Sequence, residues 1–183
     1  MLSSMAAKKH TFKYPVKKPV IPAQLKRWGN GKIPRLRLKK CACGAVMYRP
    51  AAKVCSAMTA AALADGVQLK SLGGGYRDYA RQEALWYDRM TMKRDEAKKP
   101  LVRRVWNGKL WFLKKGAPVA VPGTSNHGWG LSADFDVSDP KVYAWLDENA
   151  PKFGFFMEAK PTRPDGDRNP FFEPWHWTKV DAL

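Results

Sequence analysis

From Leu131 to Val137 the chain alternates without a break. Leu131, Ala133, Phe135 and Val137 are apolar, and Ser132, Asp134 and Asp136 are polar. Period two describes a strand with one face on a core and a polar face from which Asp134 projects. The loop feeding it, Ser125-Asn126-His127-Gly128-Trp129-Gly130, carries one of only three histidines. A second stretch, Glu173-Pro174-Trp175-His176-Trp177, carries another. Alternation there sets His176 opposite the two tryptophans, and Pro174 disturbs the strand enough to turn Glu173 toward the same side. His10 lies far away among lysines.

Two histidines and a carboxylate form a ligand set that leaves zinc an open fourth position. A water in that position is acidified from about 15.7 toward about 7, and it needs a base to take its proton. Glu173, three residues from His176, is the carboxylate available. Each cluster also has a bland reading: a histidine packed between tryptophans, and surface charge at Asp134 and Asp136. Their joint occurrence favours a metal site. Asp136 is either a partner orienting a ligand histidine or a solvated acid. Trp129, Trp175 and Trp177 either wall a cleft or fill the core. Arg77 follows three glycines, where a guanidinium can fork onto a carboxylate or an oxyanion, or simply pair with Asp78.

The 183 residues suit one domain with a tail, and 45% hydrophobic content excludes a wholly disordered basic chain. The net charge of +17 is uneven, because no acid precedes Asp65: residues 1–64 carry +14 and the remainder +3. Residues 1–27, with Pro15, Pro19 and Pro22 among lysines, predict a basic, flexible arm, and 28–183 the folded domain. Helices are predicted from Pro50 to Gly66, from about Asp78 to Thr91, and from Asp139-Pro140 to Asn149. Val67–Leu72 predicts a strand, and Asn107-Gly108 a two-residue hairpin. The mixture is α+β: a small antiparallel sheet carrying the metal site, flanked by helices. Cys41, Cys43 and Cys55 are odd in number and lack paired zinc spacing, so they read as free thiols. The run from Lys93 to Arg104 reads as a solvated flap near the site entrance.

The order Ser125-x-His127-x6-Asp134, then Glu173-x-Trp175-His176, resembles the signature of the zinc D-alanyl-D-alanine peptidase family. That family includes carboxypeptidases, dipeptidases and phage L-alanyl-D-glutamate endolysins. Gly75-Tyr76-Arg77-Asp78-Tyr79-x-x-Gln82 resembles its upstream segment. Trp145-Leu146-x-x-Asn149-Ala150-x-x-Phe153-Gly154-Phe155 resembles the stretch between its metal motifs. Ser132 stands where the family usually has Ala. The resemblance implies a D-Ala-D-Ala peptidase/hedgehog-like fold, Zn2+ on His127, Asp134 and His176, and Glu173 as general base. It further implies that Arg77 binds the substrate carboxylate or polarises the scissile carbonyl, and that Ser125 lines the site.

The expected activity is hydrolysis of the peptidoglycan stem peptide by a phage-type L-alanyl-D-glutamate endopeptidase. A D-alanyl-D-alanine carboxypeptidase is the alternative within the family, and a non-catalytic basic module holding wall polymer or nucleic acid the alternative outside it. The basic N-terminal segment is expected to meet anionic envelope polymers or a membrane surface, with no specific nucleic acid, in a monomer. Met1 to Lys18 has no apolar run of signal-peptide type. The expected location is therefore the host cytoplasm until release to the wall, or a phage particle.

Overall fold

The computed structural model describes residues 16–162 and 169–180. Its elements run in the order α1 (Ala23–Trp28), β1 (Leu38–Lys40), β2 (Val46–Tyr48), α2 (Arg49–Ala64), α3 (Tyr79–Arg89) and β3 (Met90–Thr91). Then follow β4 (Arg103–Trp106), β5 (Lys109–Leu113), β6 (Ser132–Asp134), α4 (Pro140–Asn149), β7 (Phe155–Phe156) and β8 (His176–Lys179). The strands form three small antiparallel sheets, ordered β1-β2, β3-β5-β4 and β6-β8-β7. This is the expected α+β architecture.

The helices start where the sequence places their caps. Asp78 accepts from the Arg81 amide at 2.7 Å, and Asp139 from the Lys141 amide at 2.8 Å, each replacing a bond that the first turn cannot make internally. Pro50 and Pro140 occupy first-turn positions, where a missing N–H costs nothing. Along α2, Ala51, Cys55, Met58 and Ala62 recur at steps of four, three and four residues. They bury one helix face in the main core, which Val142, Trp145 and Leu146 of α4 join. Asn107 (φ 50°) and Gly108 (φ 69°) make the left-handed pair that joins β4 to β5. That hairpin and α3 enclose a separate smaller core of Trp86, Met90, Trp106, Trp111, Leu113 and Val119.

Two expectations are corrected. Residues 67–72 are no ladder strand: only Ser71 bridges Phe135, while the Leu72 amide donates to Asp134 O and Lys70 O accepts from the Asp136 amide. Gly73 and Gly74, both at positive φ, then end the extended run. On the polar face of Leu131–Val137, Ser132 is fully buried and hydrogen-bonds Thr178 at 2.6 Å. The arm expected over 1–27 is docked wherever it is described. Leu25 is fully buried, Val16 and Ile21 pack on the main core, and the Lys17 and Val20 amides donate to Met157 O and Val180 O. Its apolar residues sit between prolines and lysines, so composition hides them. Residues 1–15, with His10, lie outside the described part.

Candidate metal centre and its cleft

β6 and β8 pair so that Asp134 lies directly opposite His176. Neighbouring strand positions in such a pair share a face, and the two side chains meet: His176 Nδ1 is 2.9 Å from Asp134 Oδ1. His127 arrives from the short 3-10 turn Asn126–Trp129, closed by Gly130 in the left-handed region at φ 63°. Its Nε2 lies 3.1 Å from His176 Nδ1 and 3.3 Å from Asp134 Oδ1. Tetrahedral zinc with bonds of about 2.0–2.1 Å separates its ligand atoms by about 3.3 Å. The three donors stand at separations that fit Zn2+.

Each imidazole is locked in the tautomer that a ligand needs. His127 Nδ1 donates to Gly75 O at 2.6 Å, leaving its Nε2 lone pair for the metal. His176 Nε2 donates to Glu158 Oε1 at 3.0 Å, leaving Nδ1. Thr178 also donates to Glu158, and Ser132 donates to Thr178, so the buried serine ends a relay that fixes the carboxylate. Burial pushes Glu158 upward, but His176 and Thr178 outweigh it and hold the group down at about 2. Asp134 behaves alike: burial raises it, and the two histidines bring it well below the carboxylate range. Burial lowers His127 and keeps it neutral. Burial also disfavours charge on His176, yet its position between Asp134 and Glu158 raises it overall.

The triad lies in a cleft of about 780 Å3 lined also by Arg77, Ser125, Glu173 and Trp175. Glu173 stands on a turn in which its carbonyl accepts from the His176 amide at 3.0 Å, pinned by Trp177 Nε1 donating to Pro174 O at 3.1 Å. The strand therefore starts at His176 and does not run through Pro174, and Trp175 lines the cleft beside His176 instead of opposing it. Trp177 is core. Burial raises Glu173 above the usual glutamate range, suiting a base near neutral pH. Arg77 donates to Gln82 Oε1 at 2.8 Å, and Gln82 in turn donates to Ala120 O at 2.7 Å, which aims the guanidinium. Burial lowers its pKa, but an arginine remains cationic at neutral pH. Asp78 caps α3 and does not claim Arg77.

Ser125 is buried, and its carbonyl accepts from Asn30 Nδ2 at 2.7 Å. Asn30 fills the space that a Cβ on Gly128 would need, and the Gly31 amide donates to Gly128 O at 2.8 Å. The Gly29-Asn30-Gly31 turn is thus a clamp under the His127 loop. Asp136 is the solvated alternative: it accepts from the Ser138 amide and touches neither ligand histidine. Trp129 is half-buried against the main core. Within the expected flap, Arg104 reaches the cleft and lies 4.9 Å over the Phe171 ring. Glu158 and Asn30 escape sequence reasoning, since neither sits in a motif and only tertiary pairing brings them to the histidines.

A family model described as VanY, D-alanyl-D-alanine carboxypeptidase, matches residues 45–181. A D-alanyl-D-alanine carboxypeptidase of Enterococcus faecalis (strain ATCC 700802 / V583) is 32% identical over 127 residues, 66% of this chain. The match spans 43% of that relative's own length. Among solved structures, a mutant of the vancomycin resistance D,D-pentapeptidase VanY in complex with Zn(II) is 27% identical. It covers 81% of this chain and 83% of its own, with a TM-score of 0.52. VanYB in complex with D-alanine-D-alanine is 27% identical, covering 81% of each chain at a TM-score of 0.53. The LD-carboxypeptidase LdcB shares the fold at 21% identity and a TM-score of 0.55, covering 84% of this chain and 75% of its own.

Proposed function

This chain belongs to the VanY family of D-alanyl-D-alanine carboxypeptidases, and on that premise we propose that it is a zinc-dependent peptidase of the peptidoglycan stem peptide. One observation carries the reading: His127 Nε2, Asp134 Oδ1 and His176 Nδ1 converge in a cleft that Glu173 and Arg77 also line. A remnant that only binds wall polymer has no use for a half-buried glutamate in the same cleft as the ligand set.

Bound by those three side chains, Zn2+ supplies Lewis acidity, which acidifies water and polarises a carbonyl. The chain's own residues do the rest. Glu173 accepts the proton of the attacking water and passes it to the departing amine, its raised pKa strengthening it as the base in the first transfer. Arg77, held by Gln82, offers a fixed fork to the substrate's carboxylate or to the developing oxyanion. Trp175 and Ser125 wall the cleft around the scissile bond.

Release of terminal D-alanine is the leading specificity. The cleft continues past the triad to Lys18, Arg89 and Arg104, cations that also suit an acidic residue within a stem peptide. That extension supports the L-alanyl-D-glutamate endopeptidase as a second reading, in a phage-type lysin made in the host cytoplasm or carried on a particle. The test is digestion of purified peptidoglycan with and without a chelator, the products read by mass spectrometry. Free D-alanine identifies the carboxypeptidase, and new D-glutamyl amino termini the endopeptidase. Chelator-insensitive digestion, or none, sinks the zinc peptidase.

A further inference from the structure

The cleft accounts for two histidines but leaves three cysteines without a task. Cys41 and Cys43 sit at the tip of the β1–β2 hairpin, where the Cys41 amide donates to Ala45 O and the Gly44 amide to Cys41 O. Gly44, at φ 97°, takes the left-handed step that folds both thiols to the same side. Cys55 comes from the buried face of α2. All three are free thiols and buried, with exposures of 4%, 8% and 0%. Cys43 Sγ is 3.1 Å from Cys41 Sγ and 3.6 Å from Cys55 Sγ, and all three sulfurs lie within 4.8 Å of one another.

A single buried thiol packs as a small hydrophobe. Three converging sulfurs do not gain from packing alone, because valine or alanine would fill the same space without weak polar contacts. Thiolates about 2.3 Å from a shared cation lie about 3.8–4.0 Å apart. The two Cys43 separations fall less than an ångström short of this, and all three sulfurs lie within 4.8 Å, so a small outward shift of Cys43 Sγ meets it. Hairpin and helix are both pinned by the main core, so the three donors are presented together. Thiolate sulfur selects soft cations over Mg2+ or Ca2+. Among the described residues no histidine, carboxylate or fourth cysteine joins the group.

We propose that Cys41, Cys43 and Cys55 form a second metal centre, a three-thiolate site for a thiophilic d10 cation, Zn2+ or Cu+. Loading releases the thiol protons to solvent and staples the hairpin to α2. The Ser71 amide donates to Cys43 O, and the next amide, Leu72, donates to Asp134 O. The staple therefore also steadies the segment that leads to Arg77. Its role is structural, and it stands independently of which peptide bond the cleft hydrolyses.

The test is metal content of the intact protein purified under reducing conditions, by native and elemental mass spectrometry, the latter separating zinc from copper. The expected result is two ions per chain, one retained in His176→Ala and one in Cys43→Ala. After stripping, Co2+ added to His176→Ala should give thiolate-to-cobalt charge-transfer absorption, a band that a His/Asp/His site lacks. Should Cys43→Ala fail to fold, the ion count of the parent protein and the cobalt spectrum of His176→Ala still decide. One ion or none in the parent protein, with three thiols alkylated after unfolding, overturns the proposal. So does a single alkylatable thiol, the mark of a disulfide between two of the three.

Discussion

His176 is contacted by carboxylates on both sides, and this pairing separates the tasks of neighbouring residues. Asp134 meets Nδ1 within the proposed ligand set, and Glu158 holds Nε2 as an orienting partner. Glu158→Gln keeps the size but weakens acceptance, so zinc affinity is expected to fall about 10- to 100-fold, measured by competition with a chelating dye. At saturating zinc most of the activity should return, which separates positioning from proton transfer. Glu173→Gln should do the reverse, costing about 10²–10⁴-fold in kcat while zinc content stays unchanged. Proton competition supplies another check. In chelated protein the raised pKa of His176 means that entering zinc displaces a proton. Apparent zinc affinity should therefore strengthen with rising pH, by up to about tenfold per unit, until that group is neutral; titration calorimetry in buffers of different ionisation enthalpy would count the proton. At this scale the convergence of His127, Asp134, His176 and Glu173 on one cleft was legible, because strand alternation and the three-residue offset between Glu173 and His176 act locally. Glu158 was not, since it reaches His176 only through the pairing of β7 with β8.

Elements were legible where their boundaries are chemical. Asp78, Asp139, Pro50 and Asn107-Gly108 each dictate a local backbone state, and each marks the element it predicts. Residues 67–72 fail because their backbone bonds are divided between Cys43 on one side and Asp134 and Asp136 on the other, leaving a single bridge to Phe135 and no continuous ladder. The loop bearing His127 depends on a similar long-range fit. A methyl group on Gly128 would overlap the Asn30 amide, so Gly128→Ala must displace either the clamp or the ligand. The expected cost is about 1–3 kcal/mol of stability by chemical denaturation. A larger fractional loss of zinc binding should accompany it, because the displaced turn carries His127. Asn30→Gly in the same background removes the obstructing amide and should recover part of the zinc affinity; no recovery would show that the clamp is not what positions the loop.

Across the whole molecule the charge asymmetry changes meaning once the fold is known. Of the fourteen Lys and Arg before Asp65, only Lys8, Lys9 and Lys13 precede residue 16. The others belong to segments packed on the domain or lining its cleft, as Lys18 does beside Val16. The N-terminal third, from residue 16, is thus part of the domain's body, and two truncations should behave differently. Removing residues 1–15 leaves Leu25, the Lys17 and Val20 backbone bonds and the cleft wall in place. Turnover of a short soluble stem peptide should be unchanged. Binding to intact walls should weaken, most at low salt, where the Debye length exceeds about 10 Å. Removing residues 1–27 also strips a fully buried leucine, about 1.5–3 kcal/mol of transfer free energy, and opens the core that it covers. That variant should melt at lower temperature and lose turnover of the soluble peptide as well. Equal turnover by the two truncations would show that segment 16–27 only rests on the domain, and the folded domain would then begin at residue 28.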